Sequence, residues 1–213
     1  LEERFRVEPG PEHRAVYGKS SGGYGALVQG MRHAKHWGAV ACHSGDMGFD
    51  SLYLRDFPST VDVLSRRGGD IARFIEEFEA APKVKGHELH ALMILTMAAT
   101  YAPEQDAPMG IRLPVDLHTC ELDEERWARW LAHDPVRMVE DERCQDNLAR
   151  LRGLFIDCGS RDQYFLHYGA RTLAKRLTDR GIPHVYEEFD DNHSSIDYRL
   201  DASLPYLYRA LRR

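Results

Sequence analysis

Ser20, Asp162 and His193 are the residues whose types, settings and chain order could do chemistry together. Ser20 stands in "GKSSG" (residues 18–22), a match to the G-x-S-x-G turn that presents a nucleophilic serine. Asp162 lies in "DCGSRDQY" and His193 in "FDDNHSS". A serine hydroxyl is a poor nucleophile near neutral pH, so an imidazole must take its proton during attack. A carboxylate must then hold that imidazole in the right tautomer and stabilise its charged form. On this reading Ser20 is the nucleophile, His193 the general base and then acid, and Asp162 the orienting acid.

The same stretch offers a rival chemistry, because Gly18-Lys19-Ser20 also resembles the end of a phosphate-binding loop. That loop needs a glycine five positions before Gly18, where the backbone curls around phosphate. The residue there is His13, and Arg14, Ala15, Val16 and Tyr17 follow it as a short strand. The elbow fits better: His13 to Tyr17 supplies the strand, and Tyr24, Leu27, Val28 and Met31 fall at helical spacing after the turn. Gly18, Gly22, Gly23 and Gly25 suit a strained serine between a strand and a helix that approach closely.

Other residues compete for these roles. Ser21 as nucleophile needs a glycine at position 19, where Lys19 stands. Asp157 is the alternative orienting acid, but it sits inside an apolar run, which suits a structural carboxylate. Asp190 and Asp191 precede His193 and suit a solvated turn, and Asp197 suits the first turn of a helix. His33 with His36, and His87 with His90, share helix faces, yet "HELHA" lacks the H-E-x-x-H spacing, so no metal is expected. His43 follows a strand and fits either the mouth of an active site or a packing role. Trp127, Trp130 and Leu131 form an apolar helical stripe suited to a core or to an acyl pocket.

The elements that position the trio alternate. "GAVACHSG" (38–45), "LRGLFIDCGS" (151–160) and "HVYEEFD" (184–190) are apolar or alternating runs that end in turn residues. "QYFLHYGARTLAKRLTDRG" reads as a helix stopped by Gly181 and Pro183, and "SSIDYRLDASLPYLYRALRR" has helical spacing interrupted by Pro205. This rhythm predicts an α/β fold with a mostly parallel sheet flanked by helices. Ser20, Asp162 and His193 each follow a strand, at the carboxyl edge where such sheets gather ligands. Residues 46–150 break the rhythm with patterns such as "DIARFIEEFEAA" (70–81) and "HELHALMILTMAATY" (87–101), and read as a largely helical insertion. The N-terminal "LEERFRVEPGPEHRAV" reads as the end of a helix, a loop and a strand, as though the chain enters mid-fold.

Composition narrows the classes. A chain of 213 residues with 43% hydrophobic content can build one substantial core, and we expect a single catalytic domain across 1–213. A formal net charge of −6 offers no basic footprint for nucleic acid or an anionic membrane. No apolar run approaches the roughly 18 residues of a membrane span. The four cysteines form no C-x-x-C pair, and with no signal-peptide pattern the expected location is a reducing cytoplasm.

"AVYGKSSGGYGAL", "LFIDCGSRDQYF" and "YEEFDDNHSSIDYR" together resemble the Putative esterase family of α/β-hydrolases, which includes S-formylglutathione hydrolase, enterochelin esterase, feruloyl esterase and mycolyltransferase types. The order Ser, Asp, His is the α/β-hydrolase order. The likeness covers roughly residues 1–45 and 150–213. It implies an α/β-hydrolase fold and a serine esterase acting on a small-molecule ester through an acyl-enzyme, without a cofactor. It also implies that the N–H of Ser21 forms part of the oxyanion hole. In such a family further strands, and a loop giving the second oxyanion amide, precede the elbow. The chain is therefore expected to be the C-terminal part of a catalytic domain, its open sheet edge suited to a second copy or a companion N-terminal segment. The same triad would equally serve an acyltransferase, and an incomplete N-terminus would suit a non-catalytic scaffold used for binding or assembly.

Overall fold

The computed structural model describes residues 3–212. In chain order the elements are β1 (Ala15–Lys19), α1 (Ser21–His33), β2 (Ala39–His43), α2 (Phe49–Leu52), α3 (Phe57–Ser65), α4 (Ile71–Ala80) and α5 (Gly86–Tyr101). There follow α6 (Glu124–Leu131), α7 (Pro135–Met138), α8 (Glu142–Arg150), β3 (Gly153–Gly159), α9 (Leu166–Asp179), β4 (Val185–Phe189) and α10 (Leu200–Leu211). The four strands form one parallel sheet in the order β1-β2-β3-β4. This is the α/β architecture expected from the alternating pattern, and among the described residues no helix is long and apolar enough to cross a membrane.

Burial explains the sequences of the strands. Every residue of β2 and β3 is buried, as a central parallel strand covered on both faces must be, and apart from His43 and Asp157 both are apolar runs. The outer strands β1 and β4 are only partly covered. One sheet face packs against α10: Ala39, Ala41, Phe155, Leu207 and Ala210 form a buried cluster joined by Ala15, Val185 and Tyr206. Phe155 and Tyr206 stack there with ring centroids 5.6 Å apart. On the other face α1 lies close enough that a Cβ on Gly30 would meet Val40 at 3.0 Å.

The chain divides into two compact units, one of residues 1–51 and 134–213 and the other of Leu52–His133. The first carries the sheet and α7 and α8, which precede β3. The second is helical, with a single antiparallel bridge between Val115 and Leu122. Its core is an aromatic stack of Tyr53, Phe57, Tyr101, Trp127 and Trp130, whose rings meet at 5.4–5.7 Å, mostly edge to face. Trp127 and Trp130 are thus core residues. Aspartates cap α4, α6, α7 and α8: Asp70, Asp123, Asp134 and Asp141 each accept a backbone N–H of the first turn.

Three local readings shift. The first strand begins at Ala15, because Pro11 to His13 form a 3-10 turn, and it continues through Gly18 and Lys19. The start of the chain, expected to end a helix, forms turns and bends over residues 3–6, and Leu1 and Glu2 lie outside the described residues. Pro205, expected to interrupt the last helix, lies inside α10, which continues to Leu211. A proline there forfeits one backbone hydrogen bond, at about 3 kcal/mol. Burial of Ser203, Leu207 and Ala210 against the sheet holds the helix together around it.

Candidate active site

Ser20 sits between the last residue of β1 and the first of α1, with φ 56° and ψ −129°. A non-glycine residue at positive φ costs about 1–3 kcal/mol and persists only where its surroundings over-determine it. Here its N–H donates to the carbonyl of His43 at 2.9 Å, and its carbonyl accepts the N–H of Tyr24 at 2.9 Å. The turn also needs an absence of side chains. A Cβ on Gly18 would lie 2.3 Å from the carbonyl oxygen of Gly22, and one on Gly23 would lie 2.9 Å from that of His43. Gly22 and Gly25, by contrast, face open space.

Asp162 follows β3 and is 1% exposed. Its Oδ1 accepts the N–H of Tyr164 at 2.9 Å, and its Oδ2 lies 2.8 Å from Nδ1 of His193. His193 follows β4, is 9% exposed, and donates its backbone N–H to Oε1 of Gln163 at 3.0 Å. The ring of Tyr164 meets the imidazole edge on, with centroids 4.9 Å apart. The loops carrying the pair are tied together: Ser160 N–H donates to Phe189 at 2.8 Å and Arg161 N–H to Asp191 at 3.0 Å. A Nδ1–H tautomer donating to Asp162 leaves Nε2 free to accept a proton.

The sheet is parallel, so Ser20, Asp162 and His193 all lie at its carboxyl edge. Among the described residues no hydrogen bond joins Ser20 to His193. The structure therefore brings His193 and Asp162 into contact and sets Ser20 at the same edge. Catalytic hydrogen bonds are often long before substrate arrives. Backbone strain gathers at this edge: Ser20, Ser44, Phe165 and Ser195, all at positive φ, follow strand ends.

Ser21 opens α1, and its N–H is one of the first-turn donors that no intrahelical carbonyl can reach. Its hydroxyl donates to Oδ2 of the buried Asp46 at 2.9 Å. Asp46 was not singled out in the sequence, although "CHSGD" places it just beyond a strand end. Gln163 and Tyr164 carry no local signal for a related reason: His193 lies 30 and 29 residues further along and reaches them only through strand pairing.

The competing residues have other partners. Asp157 is fully buried and bonded to His43 and Arg199. Asp190 pairs with Arg161, Asp191 accepts from Tyr198 and Asn192, and Asp197 lies in the short 3-10 turn before α10. His33, His36 and His87 are exposed, and His90 pairs with Asp56 at 3.0 Å. Among the described residues no three His, Cys, Asp or Glu side chains converge as a metal site. A cavity of about 730 Å³ lies wholly within Leu52–His133, lined by Ile71, Ile111, Leu113 and Leu122, and holds none of the trio.

A family model described as Putative esterase matches residues 1–204. Comparison with curated protein sequences returns no significant match. Among solved structures the fold is similar to a ferulic acid esterase at 20% identity, TM-score 0.53, covering 99% of this chain and 56% of that one. It is similar to an S-formylglutathione hydrolase from Staphylococcus aureus at 13% identity, TM-score 0.53, covering 99% and 59%. A third likeness is to an S-formylglutathione hydrolase from Agrobacterium tumefaciens at 15% identity, TM-score 0.50, covering 99% and 53%. The chain thus spans little more than half the length of these proteins, and at such identities the likeness carries the fold, that of an α/β-hydrolase.

Proposed function

The chain belongs to the Putative esterase family, and from that premise we propose that it forms the catalytic part of a serine carboxylester hydrolase, with Ser20 as nucleophile, His193 as general base and acid, and Asp162 as the orienting carboxylate. The observation that carries this reading is the 2.8 Å contact between Asp162 Oδ2 and His193 Nδ1, at the sheet edge where Ser20 sits at positive φ. The helical unit of Leu52–His133 is read as an insertion within that catalytic domain.

The steps follow from the groups present. Ser20 Oγ attacks the ester carbonyl carbon as His193 Nε2 takes the hydroxyl proton, and Asp162 stabilises the imidazolium through Nδ1–H. The developing oxyanion is received by the N–H of Ser21, aided by the positive end of α1. Collapse breaks the carbon–oxygen bond to the alcohol, which leaves with the proton from His193. Water then attacks the acyl-Ser20 ester and gives a proton to His193. The second collapse releases the carboxylic acid and returns the proton to Ser20.

The test is a Ser20→Ala variant assayed on a small aryl ester, with fluorophosphonate labelling and peptide mapping alongside. Turnover is expected to fall to background with the circular dichroism spectrum unchanged, and the wild-type adduct is expected on Ser20. Undiminished ester hydrolysis by Ser20→Ala would remove the reading.

A further inference from the structure

A hydrogen-bonded Ser–His–Asp connection lies buried inside the sheet unit. His43 is the last residue of β2 and 3% exposed. Its Nδ1 lies 2.8 Å from Asp157 Oδ1 and its Nε2 lies 2.9 Å from Ser203 Oγ, with Asp157 and Ser203 both fully buried. A neutral imidazole satisfies both partners, donating from Nδ1 to the carboxylate and accepting the Ser203 hydroxyl at Nε2. The other oxygen of Asp157 accepts from Arg199 Nε at 2.8 Å. Arg199 in turn pairs with Glu187 and stacks on Phe189, 4.7 Å from the ring centroid.

The arrangement follows from register. His43 is paired with Asp157, and Asp157 with Glu187, so the three side chains stand in a row across β2, β3 and β4 on the face that α10 covers. Ser203 reaches that row from α10 and Arg199 from the turn before it. Buried polar groups in such a row are held to one geometry, because losing any partner leaves a desolvated donor or acceptor.

The row touches all three segments that carry the trio. The carbonyl of His43 accepts the Ser20 N–H at 2.9 Å, so the strand end that the imidazole anchors is also the anchor of the elbow. Asp157 is five residues before Asp162, and its carbonyl accepts the Ser44 N–H at 2.8 Å. Arg199 is six residues after His193 and clamps Phe189 at the end of β4. His43, Asp157 and Ser203 are all buried, which closes these three to substrate and leaves them no second reaction to run.

We propose that His43, Asp157, Arg199 and Ser203 are positioning residues that fix the relative placement of the elbow, the acid loop and the base loop. This rests on the reading of Ser20, His193 and Asp162 given above. A displacement of about 1 Å among reacting groups can cost on the order of 10²-fold in rate. Removing the row should therefore lower kcat, while groups that only bind substrate are left in place and KM stays near its wild-type value.

The experiment compares kcat, KM and the thermal midpoint for wild type, Ser20→Ala, Ser203→Ala, His43→Leu and His43→Asn in the longest native form of the protein. Assays run well below every midpoint. His43→Leu breaks both imidazole bonds and is expected to lose about 10²-fold in kcat. His43→Asn keeps an amide near the Nδ1 position and is expected to recover most of that loss. Ser203→Ala should move kcat in the same direction by less. If Ser20→Ala is inactive but the row variants lower only the midpoint and leave kcat intact, the row is structural and the proposal fails while the triad stands. If Ser20→Ala keeps full activity, the triad reading and this proposal fall together. Should His43→Leu not fold, Ser203→Ala decides on the same split between kcat and midpoint.

Discussion

Asp162 Oδ2 lies 2.8 Å from His193 Nδ1, although the two residues are 31 apart in sequence and arrive from the ends of different strands. The second oxygen of the carboxylate is held by the N–H of Tyr164, and the loops on either side are tied by backbone hydrogen bonds. The pair is held in this orientation by its own loops. If His193 is the base, as proposed, an imidazole held in this way loses no free energy to reorientation during reaction.

The first prediction follows from which atom carries the proton. Asp162→Asn preserves the shape and can keep the bond from Tyr164. It presents an amide N–H toward Nδ1, which favours the tautomer whose Nε2 is already protonated and cannot take the proton of Ser20. We expect kcat to fall by about 10⁴-fold with little change in thermal midpoint. Steady-state kinetics beside a melting curve check this, and an active Asp162→Asn enzyme would transfer the orienting role elsewhere.

The elbow separates two glycines that look alike in sequence. A methyl group on Gly18 would meet the carbonyl of Gly22 at 2.3 Å, whereas one on Gly22 meets nothing within 4 Å. Gly18→Ala is expected to destabilise the protein by about 1–3 kcal/mol or more and to suppress labelling of Ser20 by a fluorophosphonate. Gly22→Ala is expected to be tolerated, with stability unchanged or raised by up to about 1 kcal/mol. Urea unfolding and the labelling rate distinguish them. Equal effects would show that the turn relaxes and that the observed geometry does not constrain it.

The strands are legible in the sequence because they rest on local signals, and so is the place of each residue of the proposed trio beyond a strand end. "GAVACHSG" and "LRGLFIDCGS" are short apolar runs closed by glycine, and Ser20, Asp162 and His193 each sit just past such a run. Pro205 departs from its local preference because the buried face of α10 holds the helix together around it, whereas the turn at Pro11 follows the ordinary preference of proline for the first position of a helical turn. The pairing of His43, Asp157 and Ser203 is not legible in the sequence, since it depends on cross-strand register and on where α10 lands. Asp157 inside an apolar run was the one trace of it. A charge placed there must have a buried partner, but the sequence does not say which.

A third prediction concerns the helical unit. Trp130 is fully buried, and its ring meets those of Tyr53, Phe57, Tyr101 and Trp127. Trp130→Ala removes the centre of that stack, and we expect a loss of about 3–5 kcal/mol for the structure that contains it. Chemical denaturation followed by tryptophan fluorescence and by circular dichroism reports the effect. A loss below about 1 kcal/mol would mean that the unit packs without this side chain at its centre.

The last prediction is a pH dependence of stability centred on His167 in α9. Its side chain is buried, its Nδ1 has no hydrogen-bond partner, and its ring lies against Tyr168 with centroids 4.2 Å apart. Burial pushes its pKa below the ordinary histidine value of 6.5 and the nearby Arg171 adds to that, while Asp162 and Glu188 pull weakly the other way. The unfolded chain then binds a proton that the folded one refuses, so stability rises with pH through this range and falls as the solution is acidified below about 6.5. His167→Leu cannot take the proton in either state. The stability of wild type relative to His167→Leu is therefore expected to decline from pH 7 to pH 5, whatever the other titrating groups contribute to both. Urea unfolding of the two proteins at matched pH values measures that difference, and a difference that stays constant across the range would show that His167 is protonated as readily in the folded state as in the unfolded chain.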